Sequence, residues 1–337
     1  MNLLRKIILG LSIVIICLVV GLWFLANKSV PAQITYGMSF NTFYATELGL
    51  DWKNTYDAII DDLGVRHLRL AAHWPMIEPE KDTFNFTELD YQVEKAQTVK
   101  ADVILAVGRR LPRWPECHIP PWAKEKSWTE QKAEINDYIT KVVEHYRDNP
   151  AIIYWQVENE PYLGMFAFEN CNQLDEEFLL AEIALVHELD PKRPILVTDS
   201  GNLGTWSGAY KNGDAFGTSV YVYFWNSDLG QFRTGIPAWF YRVKEKVMAY
   251  RYGKKPTFLI ELSAEPWLVE PLLKVPLAVQ DERMNLEKFN EILSYATKTR
   301  YDKQYLWGAE WWYWLLLQGD STMWNRGKEL FRTENII

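Results

Sequence analysis

The sequence predicts a (β/α)8 barrel of the TIM class, preceded by a transmembrane helix. Three observations carry that expectation. Eight apolar β-like runs alternate with longer helical stretches from Thr35 to Trp311, a pattern of βα units and a parallel sheet. No glycine-rich phosphate turn follows the first run, since Gly37-Met38-Ser39 lacks dinucleotide or P-loop spacing, which removes support from a doubly wound sheet. Ile7 to Ala26 is twenty residues without a charge, long enough at ~1.5 Å per residue to cross a hydrocarbon core of about 30 Å.

The elements follow in order. Arg5 and Lys6 precede the apolar segment, so residues 1–6 are expected in the cytoplasm, 7–26 as a signal-anchor in the membrane, and the rest outside. The rival reading is a signal peptide cleaved at Val30-Pro31-Ala32; an apolar core beyond the usual ~7 to 15 residues favours the anchor. Residues 27–33 form a polar linker and 34–337 the exported domain. Its first strand is expected over Thr35 to Phe40 and its first helix near Thr55 to Leu63, with Gly64 suited to left-handed geometry at the helix end. The second strand is His67 to Ala72, followed by a helix over Leu89 to Val99, and the third is Val103 to Val107. A loop rich in Pro and Trp spans Arg109 to Trp128. Ile135, Tyr138, Ile139, Val142 and Val143 recur at helical spacing within Glu130 to Tyr146. The fourth strand is Ile152 to Val157, then a helix over Glu176 to Leu189, the fifth strand Ile195 to Thr198 and a weak helical turn around Ala209. The remaining pattern predicts strands Phe216 to Val222, Thr257 to Ile260 and Tyr305 to Trp311. The helices expected between and after them are Trp239 to Arg251, Leu286 to Thr299 and a stub near Gly327 to Phe331.

Bulk properties exclude several classes of function. With 337 residues and 48% hydrophobic content the chain can bury one sizeable core. A net charge of -8 and the absence of any Lys/Arg cluster disfavour nucleic acid, whose phosphates need a concentrated basic face. A neutral or weakly charged ligand fits better. The histidines His67, His73, His118, His145 and His187 are scattered and no C-x-x-C spacing occurs, so no metal site and no cofactor is expected. Cys17 lies in the apolar segment, leaving Cys117 and Cys171 in loops after adjacent strands; an oxidising compartment permits a disulfide between them.

The strand ends carry the chemistry. A barrel of this kind places its site at the C-terminal ends of its strands. Those ends hold His73 and Trp74, Arg110 and Trp114, Asn159 and Glu160, Asn202 and Trp206, Tyr223 and Trp225, Glu261 and Trp267, then Trp312 and Trp314. Among 16 Trp residues, indoles recurring at strand exits point to stacking on sugar faces; the bland alternative is core packing. Two carboxylates facing one another can cleave an acetal, one protonating the leaving oxygen and the other, ionised, attacking the anomeric carbon or activating water. Glu160 and Glu261 close the fourth and seventh strands, across the mouth from each other. Among 44 acidic residues any single Glu is first a surface residue; a pair at two strand ends is not well explained that way.

These residues resemble a known group. Asn159-Glu160-Pro161 ending the fourth strand, with a second Glu closing the seventh, looks like the signature of clan A glycoside hydrolases, the superfamily of cellulases, mannanases and xylosidases. The likeness extends through Arg66-His67-Leu68-Arg69-Leu70, Trp74, Ile77-Glu78-Pro79 and Phe84-Asn85-Phe86. It implies a retaining β-glycosidase acting on an oligosaccharide or polysaccharide. Glu160 would be the acid/base, Glu261 the nucleophile, and Asn159 the ligand of the sugar 2-hydroxyl. Arg69 would keep Glu261 ionised, Tyr223 would hydrogen-bond it, and Tyr221 would stand where many members have His. Trp312 would floor the cleaved subsite, and His73, Trp74 and Trp267 would line it. Glu265 is a rival nucleophile four residues past the β-run, and Glu310 is either a substrate ligand or a paired structural carboxylate. A transglycosylase would use the same pair, and a non-catalytic carbohydrate-binding protein of the cell envelope would need neither.

Overall fold

A computed structural model describes residues 3–26, 31, 33–165, 171, 174–226, 228–268 and 270–332. Most of the expected linker and the last five residues of the expected domain lie outside that set.

Eight parallel strands close into a barrel. They are β1 (Thr35–Ser39), β2 (His67–Ala71), β3 (Asp102–Val107), β4 (Ile152–Val157), β5 (Ile195–Asp199), β6 (Ala215–Val220), β9 (Thr257–Ser263) and β10 (Lys303–Trp307). Around the barrel the order is β1-β10-β9-β6-β5-β4-β3-β2, so β4 and β10 stand diametrically opposite. An antiparallel hairpin of β7 (Tyr223–Asn226) and β8 (Gly230–Arg233) interrupts the βα series after β6. The helices are α1 (Leu3–Ala26), α2 (Thr42–Glu47), α3 (Trp52–Asp61), α4 (Trp74–Ile77), α5 (Thr87–Thr98), α6 (Trp128–Tyr146), α7 (Glu176–Leu189), α8 (Ser207–Asn212) and α9 (Trp239–Tyr252). After β9 come α10 (Leu277–Arg283), α11 (Leu286–Thr299), α12 (Ala309–Leu317) and α13 (Thr322–Arg332).

Strand alternation divides the core in two. Ile104, Leu196, Ala215, Phe258, Ile260 and Tyr305 fill the barrel interior, while Val103, Leu105, Trp155, Val157, Val197 and Leu259 join the larger layer under the helices. Above the interior plug lies a polar tier of buried Arg69, Gln156, Thr198 and Ser219. The site is built on that tier.

One irregularity sets the direction of a key side chain. Between Leu259 and Leu262, β9 holds one residue more than β10 needs, and it does so against β6 as well, where Thr218 faces Leu259 but Ser219 faces Glu261. Strict alternation from the inward Phe258 and Ile260 would turn Glu261 outward. The extra residue brings it in instead.

Three expectations are corrected. The eighth strand stops at Trp307, not Trp311, because Gly308 adopts φ +119 and starts α12; a continuous apolar run does not distinguish a buried strand from a buried helix. The terminal stub is a full helix, α13. The membrane span expected over Ile7 to Ala26 is not supported as such, since among the described residues no helix is long and apolar enough to cross a membrane. A helix, α1, does occupy that segment, and Arg5 and Lys6 lie in its first turns.

Candidate active site

Glu261 is held by two donors. Arg69 Nη1 donates to its Oε1 at 2.8 Å and the Tyr221 hydroxyl to its Oε2 at 3.1 Å. Arg69 is itself 2% exposed, and a buried guanidinium is tolerable only when its other N–H groups are met. They are: Nε donates to Gln156 Oε1 at 2.8 Å and Nη2 to Asn159 Oδ1 at 2.7 Å. One cation thus ties β9 to the end of β4. The Tyr221 hydroxyl is pushed far above its ordinary range by burial and by the charge of Glu261, so it stays a donor.

Glu160 sits on a strained turn. Glu158 and Glu160 have φ +56 and +45, conformations that disfavour residues with a Cβ and persist only when neighbours over-determine them. Here they do. Glu158 N donates to Val107 O at 2.9 Å, Asn159 N to Arg110 O at 2.6 Å and Glu160 N to Thr198 Oγ1 at 2.8 Å. Arg110 Nη1 caps Glu160 O at 2.8 Å. The Glu158 carboxylate accepts from Arg109 N and Arg110 N at 2.7 and 2.6 Å, and Gly108, at φ +121, leaves the room that a Cβ would take from it.

The Glu160 carboxyl is buried and accepts from Ser219 Oγ at 2.7 Å. Burial pushes it well above the usual carboxylate range, and the negative charges of Glu261 and Glu116 push the same way. The site therefore holds one carboxyl whose proton is held to higher pH and another clamped by a cation and a phenol.

The other expected residues divide. Asn159 Oδ1 accepts from Arg69, and from Gln156 Nε2 and Thr198 Oγ1 at 3.3 Å, which commits its carbonyl and turns the amide nitrogen the other way. Trp267 packs edge-on to Tyr221 at 4.9 Å. His73 is buried against Phe43 and His118, with ring centres 4.9 and 4.4 Å away; burial holds its pKa well below the usual imidazole value, so it is neutral. Glu265 is no neighbour of Tyr221 or Arg69 but pairs with Arg113 at 2.5 Å and Tyr44 at 3.2 Å. Glu310, in the first turn of α12, accepts from Asn41 N at 2.8 Å; burial, offset by Arg113 and reinforced by Glu265, raises it to about 7.

Three residues expected at the site lie elsewhere. Tyr223 is in the β7 hairpin and its hydroxyl bonds Glu291, because β6 ends at Val220 and the chain leaves the barrel two residues earlier than expected. Trp74 is fully buried beneath α6, its indole N–H donating to Glu78 at 2.8 Å. Trp312 is fully buried on α12, donating to Ala264 O at 2.7 Å and packed on Phe289. Trp206 is likewise core. The indole at the end of the eighth barrel strand is Trp307, 6.4 Å from Tyr221 between ring centres. Gln156, Ser219, Arg113 and Glu116 were also missed; inward alternation along β4 and β6 marks the first two. Among the described residues no group of His, Cys, Asp or Glu is placed to hold a metal ion.

Cys117 and Cys171 form a disulfide joining the loops after β3 and β4. A separate cleft of about 550 Å³ lies outside the barrel between α10, α11 and α12, lined by Leu277, Met284, Trp311 and Met323. It holds neither carboxyl.

The chain is 28% identical over 138 residues to endo-1,4-β-xylanase A of Humicola insolens, spanning 37% of this chain and 33% of that protein. It is 22% identical over 151 residues to the β-galactosidase LacZ of Lactobacillus acidophilus, spanning 40% and 21%. The chain thus covers a third or less of the length of these relatives. The structure of a GH5_18 protein from Bifidobacterium longum superposes with a TM-score of 0.58 at 15% identity, over 82% of this chain and 70% of that one, a likeness of fold. The family model described as cellulase (glycosyl hydrolase family 5) matches residues 31–248, and the chain belongs to that family.

Proposed function

We propose that this chain is a retaining glycosidase that cleaves a β-linked sugar by double displacement. Glu160 gives its proton to the leaving oxygen as Glu261 attacks the anomeric carbon, forming a glycosyl ester and freeing the aglycone. Water, deprotonated by Glu160, then attacks the same carbon and returns the Glu261 carboxylate. The observation that carries this reading is the contrast between the two carboxyls: burial and two negative neighbours keep the proton on Glu160, while Arg69 and Tyr221 both donate to Glu261. Environments that push paired carboxyls apart assign the acid and the nucleophile. The committed carbonyl of Asn159 supports its amide as donor to the 2-hydroxyl. A β-linkage is common to the names of the xylanase and galactosidase relatives.

Incubation with 2,4-dinitrophenyl 2-deoxy-2-fluoro-β-glycosides is expected to add one sugar to the protein, seen by intact mass and mapped by peptide digestion to Glu261. Labelling of Glu265 instead would transfer the nucleophile role there.

We also propose that the barrel is tethered on the outer side of a membrane, or secreted if cleaved near Ala32. The uncharged run from Ile7 to Ala26 behind Arg5 and Lys6 supports this, as do the exposed Ile8, Leu11, Ile15 and Phe24 of α1. The disulfide suits an oxidising compartment. The full chain should stay with membranes in alkaline carbonate and leave them in detergent; recovery in a soluble cytoplasmic fraction would overturn the proposal.

A further inference from the structure

Beside Glu261, on the side away from Glu160, the ends of β1, β9 and β10 enclose a recess of polar groups that the protein leaves unmet. Ser39 Oγ, Asn41 Oδ1, Glu265 Oε2, Trp307 Nε1 and Glu310 Oε2 are buried and find no hydrogen-bond partner among the described residues. Their residues are contiguous. Ser39 faces Trp307 in the sheet, Trp307 O accepts from Ala264 N at 3.0 Å, and Asn41 N donates to Glu310 Oε1. Ser39, Asn41, Glu265 and Glu310 are 4%, 6%, 3% and 1% exposed. Buried polar atoms are nearly always paired, so several orphans converging on one spot call for a ligand.

The type of atom says which ligand. Asn41 Oδ1 and the two carboxyl oxygens accept, the Trp307 N–H donates, and Ser39 does either. A ligand rich in hydroxyl groups meets all five. A carboxylate-bearing sugar does not, because Glu265 and Glu310 share the single guanidinium of Arg113.

Position says which end of the ligand. Glu160, which would protonate the leaving oxygen, ends β4, and β10 is diametrically across the barrel. A sugar spanning from Glu160 over Glu261 therefore turns its far hydroxyls toward the recess. Beyond it the way is closed: the loop after β3 crosses β2 and β1, Arg113 pairing with Glu265 and covering the Tyr44 ring, His118 packing on His73 and Phe43. That loop is pinned by Cys117–Cys171.

We propose that the recess formed by Ser39, Asn41, Glu265, Trp307 and Glu310 binds the hydroxyls of a neutral, non-reducing terminal sugar, so that the enzyme removes single sugars from chain ends. The proposal rests on the glycosidase reading above. The carboxyls select hydroxyl donors and repel uronates, and the β3 loop leaves no room for a preceding sugar unit.

The test uses the full chain with 4-nitrophenyl β-D-glucoside, galactoside, mannoside, xyloside, glucuronide and glucosaminide, together with β-1,4-linked gluco-, manno- and xylotetraose. At least one neutral aryl glycoside should be hydrolysed and the glucuronide should not, and a tetraose should release monosaccharide from the first time point. For the best neutral glycoside, Glu310→Gln should raise KM by about tenfold or more, the scale of a lost hydrogen bond to a charged group, and Asn41→Ala by about threefold or more, the scale of a neutral one. Circular dichroism checks that both fold; if Glu310→Gln fails to fold, Asn41→Ala and the product pattern decide. Disaccharides as first products, a preference for the glucosaminide or glucuronide, or unchanged KM in folded variants would overturn the recess while leaving the glycosidase reading intact. Absence of both turnover and fluoro-sugar labelling in the wild-type chain would overturn the glycosidase reading itself, and the recess proposal with it.

Discussion

Glu261→Ala is expected to lower kcat/KM on the order of 10⁴-fold or more, since it deletes the covalent route and not merely a proton transfer. Azide should restore part of the turnover and yield a glycosyl azide of inverted, α configuration, because the small anion enters from the face the carboxylate vacated. Product anomers are assigned by proton NMR. Retained hydrolysis, or a β-azide from this variant, would move the nucleophile to another residue, Glu265 first. The variant leaves Arg69 with its contacts to Gln156 and Asn159, so the fold should survive; a thermal unfolding curve checks this.

Glu160→Gln should cost roughly 10² to 10⁴-fold on substrates with poor leaving groups, the usual worth of a general acid. Dinitrophenyl glycosides need no protonation, so their first step should be nearly spared and the glycosyl-enzyme should accumulate. The pH profile gives a second readout. Because burial and the neighbouring carboxylates raise the Glu160 pKa, the working proton is held to higher pH, and activity falls as pH rises through that value. Replacing Glu160 removes this basic limb. A limb that persists unchanged in Glu160→Gln would assign the titration, and the acid, elsewhere.

The parts of this site that were legible in the sequence are those fixed by strand logic. Arg69 stands between Leu68 and Leu70 in a buried strand, where a charge can only point inward to a partner. Glu160 and Glu261 follow apolar runs and mark their ends. What escaped was register. Apart from Glu310, Ala309 to Leu317 is apolar all round and reads equally as strand, so the run points to Trp312 as the terminal indole when it is Trp307. Tyr221 and Tyr223 share an alternation parity, and nothing local shows that the chain turns into a hairpin after Val220. The indole surplus misled for a similar reason: Trp74, Trp206 and Trp312 sit close to strand exits in sequence but pack beneath the helices. The unmet groups of the recess come from the first, seventh and eighth barrel strands, so no local pattern gathers them.

The surplus residue in β9 has a consequence of its own. Because Phe258 and Ile260 already face inward, an inward Glu261 makes two consecutive residues share one side of the sheet, which only the bulge allows. Deleting Ile260 would restore plain alternation with Glu261 still inward and opposite Ser219, but would take one apolar side chain out of the barrel plug. The bulge thus lets one short stretch serve two layers, Ile260 closing the apolar plug and the next residue on the same side carrying the charge.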